Sequence, residues 1–339
     1  MREIEYPLVS IIIVNYNGES NIETCLRSVF NSRYPYFEVI LVDNASTDNS
    51  LALVKKMFGN DNRLVLVRNN KNVGPAEGNN IGAKKARGRY IVFLNNDTEV
   101  DPNWLIELVN VMEQDPSIGA AGCLQLLFDD RERIDDVGGY LDHYGFVYPR
   151  CYRLEKNLEQ YGIEEVFRYG TTALIVRKIV FESIGGFDST YFMWYEDNDL
   201  CWRIRLAGYK IYSIPYAKVY HRVSATVKRV PKANTIYFNE RNRIVTLIKN
   251  YSMDSLVKIL PFLMSIEMIH MILHFIQRNV YNAVSIIKAC IWVLSNFGDV
   301  WKRRLQVQRY VRKIPDKEIT KYFVKRNFME KVRCITSEK

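Results

Sequence analysis

The stretch LVSIIIV, residues 8–14, followed by NYNG at 15–18, decides how the rest of the chain is read. It is nearly all apolar, rich in β-branched residues and of strand length. A strand apolar on both faces belongs in the middle of a parallel sheet. After the break at Asn15–Gly18, Ile22, Cys25, Leu26, Val29 and Phe30 recur at the spacing of one helix face. The pattern then repeats. Phe37–Val42 predicts a second strand ending at Asp43, with a helix to about Phe58. Arg63–Val67 predicts a third, leading through a polar turn into a small-residue helix over 75–86. Tyr90–Leu94 predicts a fourth, ending at Asn95-Asn96-Asp97.

Strand and helix alternating at this spacing imply a mainly parallel α/β sheet with right-handed crossovers. Ligands collect beyond the carboxyl ends of such strands. Asn15, Asp43, Asn69 and Asp97 each stand at one of those ends. Turn formation explains each Asn or Asp separately, but not why all four strands end alike.

Further along, a helix is expected from Pro102 through Val109, then another apolar strand. Residues 126–170 are irregular, with Asp135, Asp136, Gly138, Gly139, Tyr140 and Tyr144, and suggest an excursion over the sheet. Thr171–Val176 is a further strand. The stretch GGFDSTYFMWYEDNDLCWRIRLAG, residues 185–208, is the most chemically loaded. Two glycines and an aromatic run precede Glu196, Asp197 and Asp199. Leu200, Arg203, Ile204 and Ala207 then follow at helical spacing, with Gly208 at the C-terminal stop. The periodicity predicts an amphipathic helix with the acids in its first turn, where unpaired N–H groups favour negative charge. A carboxylate fixed beside aromatic rings suits deprotonation of a substrate hydroxyl.

The formal charge of +9 sits in one place: residues 301–339 carry 13 Lys/Arg against 4 Asp/Glu, so the body is neutral. With no nucleic-acid motif, a basic tail with interleaved aromatics implies an anionic lipid surface rather than nucleic acid. Six scattered cysteines without a CxxC pair exclude a disulfide framework or zinc site, and the N-terminus lacks a secretory pattern, which together imply a cytoplasmic setting. Residues 256–297 are apolar but interrupted by charges, with no charge-free run of about 18 residues to span a bilayer. Glu267, His270, His274 and Gln277 form a narrow polar stripe, suited to a membrane interface or a helix seam. The stripe explains the His270/His274 pair more simply than a metal site does.

Together, SIIIVNYNG (10–18), VDNASTDNS (42–50), NVGPAEGNN (72–80), FLNNDT (93–98) and GGFD…WYEDNDLCWR (185–203) resemble a family 2 glycosyltransferase. The resemblance covers roughly residues 8–250. YEDNDLCWR, HRVSAT and the RNR at 241–243 are similar to its rhamnosyltransferase-like branch. It implies a GT-A fold, with a nucleotide-sugar half over about 1–125 and an acceptor half over about 126–250. A helical, basic, membrane-associating extension would occupy 251–339.

The implied activity is inverting transfer from a nucleotide-diphospho-sugar (dTDP-rhamnose, a UDP- or a GDP-sugar) to a glycan or lipid-linked glycan. The enzyme would be peripheral on the cytoplasmic membrane face, its C-terminal helices offering a surface for self-association. By the same resemblance Val14, Tyr16 and Asn17 border the nucleobase, and Asp43 with Asn44 meets base or ribose. Gly74 and Asn79 line the nucleotide side, with Lys71 near the phosphates or Asp43. FLNNDT stands at the family's DxD position, with Asn95 in place of the first acid. Asp97 is then the remaining carboxylate for Mg²⁺ or Mn²⁺, His221 a further ligand, and Asn95 and Asn96 orient sugar hydroxyls or hold the ion through water. Asp197 is the implied general base, Glu196 orients it or shapes the acceptor site, and Trp194 and Tyr195 offer a sugar-stacking face. The rivals are a nucleotidyltransferase, which would carry a glycine-rich basic signature that NYNGES lacks, and a degenerate carbohydrate-binding or assembly subunit.

Overall fold

The computed structural model describes residues 6–150, 162–223 and 231–325. The N-terminal half alternates as expected: β1 (Val9–Asn15), α1 (Ile22–Phe30), β2 (Phe37–Asp43), α2 (Ser50–Phe58), β3 (Leu64–Arg68), α3 (Gly74–Ala83) and β4 (Tyr90–Asn95). Helix α3 starts and stops slightly earlier than the sequence pattern suggested. Short β5 (Thr98–Val100), α4 (Trp104–Gln114) and long β6 (Ile118–Leu127) follow. The expected excursion contains β7 (Ile134–Asp136), β8 (Gly139–Leu141), β9 (Val147–Pro149) and β10 (Glu164–Glu165). Then come β11 (Ala173–Arg177), α5 (Lys178–Ser183), α6 (Glu196–Leu206) and β12 (Lys210–His221).

The main sheet runs β10-β12-β6-β11-β4-β1-β2-β3, and β8 pairs with β9 apart from it. Strands β1 to β4 are mutually parallel, whereas β11 lies antiparallel between β4 and β6. The order reverses at β1, which leads to β2 on one side and has β4 on the other, so a crevice opens at their carboxyl ends. Successive side chains explain the doubly apolar runs. Ile12, Ile40, Val42, Ile91 and Phe93 pack on one face, while Ile11, Ile13, Val39, Leu41 and Val92 pack on the other beneath α1 and α4.

The C-terminal part folds as α7 (Lys232–Asn250), α8 (Met253–Ile276), α9 (Val280–Ser295), α10 (Phe297–Gln306) and α11 (Asp316–Ile319). Its apolar residues, among them Leu256, Leu263, Val293 and Phe323, join the core on the α6 side of the sheet. Two expectations change here. Helix α6 is not amphipathic: every residue except Asp197 is buried, because the sheet, α7 and Phe323 enclose it. Helix α8 runs unbroken for 24 residues and contains an 18-residue stretch of mean hydropathy 1.8, long and apolar enough to cross a membrane despite the charges that interrupt it. Its polar stripe is a helix seam. Arg243 of α7 pairs with both Glu240 and Glu267, and His270 lies 3.3 Å from Glu240. Glu240, Glu267 and His270 have the spacing of metal ligands, but Arg243 already neutralises the two acids.

Candidate active site

A cavity of about 320 Å³ lies at the crevice. Its walls come from the ends of β1 (Val14, Tyr16) and β4 (Asn95, Asn96, Asp97), the start of α3 (Gly74, Pro75, Asn79), and Asn44, Trp194, Glu196 and His221. The structure thus brings together most of the residues singled out from sequence. Asn72, from the 72–80 turn, and Phe192, from the aromatic run, also line it, together with Thr171, which was expected only as the start of a strand.

Other expected residues do not reach the cavity wall. Asp43 lies beneath it, fully buried, accepting from the Asn15 side chain at 3.4 Å and from the Ser46 N–H at 3.3 Å. Asn15 is buried too. Its amide donates to Ser50 at 2.9 Å, and its oxygen accepts from Asn96 at 2.9 Å. These two strand ends therefore serve as internal stitches, the role that turn chemistry alone would give them. Asn17, in a left-handed conformation (φ 51°), accepts from the Thr47 N–H, and Lys71 is exposed away from the lining residues. Tyr195 donates its hydroxyl to the Gly145 carbonyl at 3.0 Å, so Trp194 and Phe192, packed on Phe238, are the aromatic wall.

The start of α3 is locked to that wall. Gly74 has φ +80°, and a Cβ there would lie 2.2 Å from the Phe192 carbonyl oxygen, so only glycine fits. Trp194 and Tyr195 both have positive φ (62° and 67°), which costs about 1–3 kcal/mol per residue. Asn242 of α7 holds them, donating to the carbonyls of Met193 (2.9 Å) and Trp194 (2.7 Å). That gives the RNR segment a physical role: Arg241 donates to Thr190 O, Asn242 clamps the aromatic loop, and Arg243 closes the seam to α8.

The three acids opening α6 have separate fates. Asp199 is wholly buried and pairs with Arg203 (2.8 Å) and Lys249 (3.1 Å), fixing the helix. Glu196 lines the cavity. Burial, reinforced by the neighbouring Asp197 charge, pushes its carboxyl up to about 8, and its Oε2 has no hydrogen-bond partner. Asp197 faces an adjoining cleft that shares Thr171 with the main cavity and is also lined by Asp135, Asp136 and Arg168. Its Oδ2 accepts from Arg168 at 2.6 Å and its Oδ1 from the Asn198 N–H at 2.7 Å. Arg168 also lies 3.4 Å from Asp136, whose carboxyl burial holds above the usual range. The floor is Gly170, where a Cβ would lie 3.7 Å from Asp197 Oδ2. Arg168 sits on a segment with no periodicity, and nothing local marked it out.

His221, at the end of β12, lies between Asp135 (2.9 Å, through Nδ1) and Asp97 (3.4 Å, through Nε2). Burial opposes its charge, but hydrogen bonds to the two carboxylates win and raise it to about 9. Asp97 Oδ1 is buried, with His221 Nε2 3.4 Å away. A buried carboxylate beside an imidazole oriented through its far nitrogen by Asp135 fits a divalent cation, which would displace the imidazole proton that Asp97 now faces.

A model of the family described as "Glycosyl transferase family 2" matches residues 10–182, half of the chain. The chain belongs to that family. A second model, "N-terminal domain of galactosyltransferase", matches residues 153–230. This family member is 34% identical over 239 residues to the O-antigen biosynthesis protein RfbC of Myxococcus xanthus, covering 67% of this chain and 18% of that one. It is 38% identical over 90 residues to the Escherichia coli UDP-Glc:alpha-D-GlcNAc-diphosphoundecaprenol beta-1,3-glucosyltransferase WfaP, covering 26% of this chain and 35% of that one. It therefore spans well under two thirds of these relatives.

Two solved structures share the fold. GalNAc-T7 with UDP, GalNAc and Mn²⁺ has TM-score 0.61 at 19% identity, over 75% of this chain and 49% of that one. The mannosyltransferase PcManGT of Pyrobaculum calidifontis, with GDP-Man and Mn²⁺, has TM-score 0.54 at 16% identity, over 98% and 84%. The sheet is thus of the GT-A type.

Proposed function

We propose that the chain is an inverting glycosyltransferase that moves a sugar from a nucleotide-diphospho-sugar to a hydroxyl of a lipid-linked glycan in cell-surface polysaccharide synthesis. The observation that carries this reading is the meeting of two cavities at Thr171, one built on the strand ends and one holding Asp197. The donor occupies the first, with the nucleotide toward Val14, Tyr16 and Asn44 and the sugar toward Asn95, Asn96 and the neutral Glu196 carboxyl. Asp43 shapes that floor from below, through Asn15 and the Ser46 turn. The acceptor enters the second, at Asp197, and reaches toward the side of the first cavity that Trp194 walls.

Asp197 takes the proton from the acceptor hydroxyl as its oxygen bonds to the anomeric carbon. The bond from that carbon to the diphosphate breaks on the opposite side. A positioned base of this kind contributes about 10²–10⁴ in rate. Arg168 keeps the Asp197 carboxylate aimed, and Asp136 shares its charge. Asp97 and His221 would hold a divalent cation, which supplies charge neutralisation for the departing diphosphate; the relatives in fold that carry Mn²⁺ support this. Placement at the cytoplasmic membrane face is supported by the apolar α8 and by a basic tail whose last part, residues 326–339, lies outside the described residues. HRVSAT and RNR favour dTDP-rhamnose as first donor to test, although Ser224–Thr226 also lie outside the described residues.

A thermal-shift screen of UDP, GDP and dTDP sugars with Mn²⁺, followed by assay of nucleoside diphosphate release, tests the reading. A matched donor is expected to raise the melting temperature and to turn over with wild type but not Asp197→Asn. Equal turnover by the variant removes Asp197 from the role. Binding with no turnover on any acceptor favours a non-catalytic subunit.

A further inference from the structure

Beyond the catalytic face, α7, α8 and α9 enclose a second cavity of about 470 Å³. Glu267 is its one ionisable acid, already paired with Arg243; apart from Cys290 the other lining residues are Ile, Leu, Met, Val and Phe. Its mouth is lined by Leu260, Met264, Met268, Ile291, Leu294 and Phe297, all exposed. An apolar concavity with an exposed apolar rim marks a binding site. Its size limits the occupant. A helix is about 10 Å across, so this volume would admit roughly one turn of it. A slender, flexible chain fits instead, and three methionines (Met264, Met268, Met271) give the wall the adaptability such a chain needs.

We infer that this groove holds the hydrocarbon chain, isoprenoid in type, of the lipid-linked acceptor. Two features tie it to that ligand rather than to bulk lipid. Ile244 and Ile248 line the groove from α7, the helix whose Asn242 clamps Met193 and Trp194. The groove thus lies about one helix diameter from the acceptor wall. In addition, the exposed charges of α8, α9 and the turn between them are Lys258, Arg278 and Lys288 against Asp254 alone, so the helices that carry the groove present a net positive surface to an anionic phosphate-bearing headgroup. The inference rests on the acceptor class proposed above, and its test separates the two.

The full chain, in phosphatidylcholine nanodiscs, is photolabelled with a diazirine-bearing farnesyl phosphate. A diazirine phosphatidylcholine and inorganic phosphate serve as controls. Adducts are expected on peptides carrying Met264, Met268 and Cys290, and unlabelled farnesyl phosphate, but not inorganic phosphate, competes them away. Ile287→Trp fills the groove and Ile291→Trp blocks its exposed mouth. Each is expected to lower labelling at least tenfold while leaving the thermal shift given by nucleoside diphosphates unchanged. Equal labelling by phosphatidylcholine, or full labelling in both variants, overturns the inference. So does loss of labelling through concentration-dependent self-association. If groove labelling stands but no donor binds or turns over, the groove remains an isoprenoid-binding site and both the proposed activity and the assignment of its occupant as an acceptor fall.

Discussion

Glu196→Gln isolates the cost of keeping a carboxyl in a dry cavity. The wild-type group is raised from 4.5 to about 8 by burial and by Asp197. Between those values the unfolded chain has released this proton and the folded chain has kept it. The unfolded state then binds fewer protons, so stability falls as pH rises through that window. Below 4.5 both states are protonated and the effect vanishes; above about 8 it is complete. At about 1.4 kcal/mol per pH unit the ceiling is roughly 5 kcal/mol, and relaxation around the group brings the expected value to about 2–4 kcal/mol. The variant keeps the shape and loses the titration. Urea unfolding of both proteins at pH 5, 7 and 9 reads the difference, because groups that do not contact Glu196 cancel. The variant is expected to gain on the wild type from pH 5 to about 8 and to hold that gain at pH 9. Parallel curves across that range would refute a buried, neutral Glu196.

Four more outcomes are expected. Asp197→Asn should lower turnover by about 10²–10⁴, with nucleotide affinity by calorimetry within a few-fold of wild type. Arg168→Gln leaves Asp136 and Asp197 without their shared cation and should cost about 3–5 kcal/mol in urea unfolding, with Arg168→Lys recovering part of it. Gly74→Ala should destabilise by at least about 1–3 kcal/mol, since φ +80° and the Phe192 carbonyl both oppose a side chain; an unchanged melting temperature would count against the packing described. His221→Ala should abolish the rise in melting temperature given by Mn²⁺ with donor nucleotide, and chelation should abolish the same rise in the wild type.

Much of the nucleotide side was legible because its signals are local. Unbroken β-branched runs announced β1, β2 and β4, and helix spacing announced α1 and the acids of α6. The order of β11, β6 and β12 was hidden, because pairing partners are chosen by tertiary packing. Strand-end chemistry was only half readable. Asn15 and Asp97 look alike in sequence, yet one is a buried stitch and the other borders the cavity, and only the neighbours Ser46, Ser50 and His221 distinguish them. Arg168, Asp135 and Asp136 were legible as residues but not as a cluster, since their meeting depends on β7 and the segment before β11 converging on α6. Helix α8 was underestimated because a few charges can be tolerated when Arg243 takes up the buried one.

The enclosure of α6 has a consequence for how acceptor choice can change over time. Asp197 stands on a rod pinned by Arg203 and Lys249 and surrounded by core, so the proposed base has a fixed address. Nothing on the rod can be exchanged freely to admit a new hydroxyl. Novelty must come from the replaceable furniture opposite it, Gln125, Val147 and Pro149 along the side cleft. Relatives that keep the rod and redecorate those positions would share one reaction and serve different glycans.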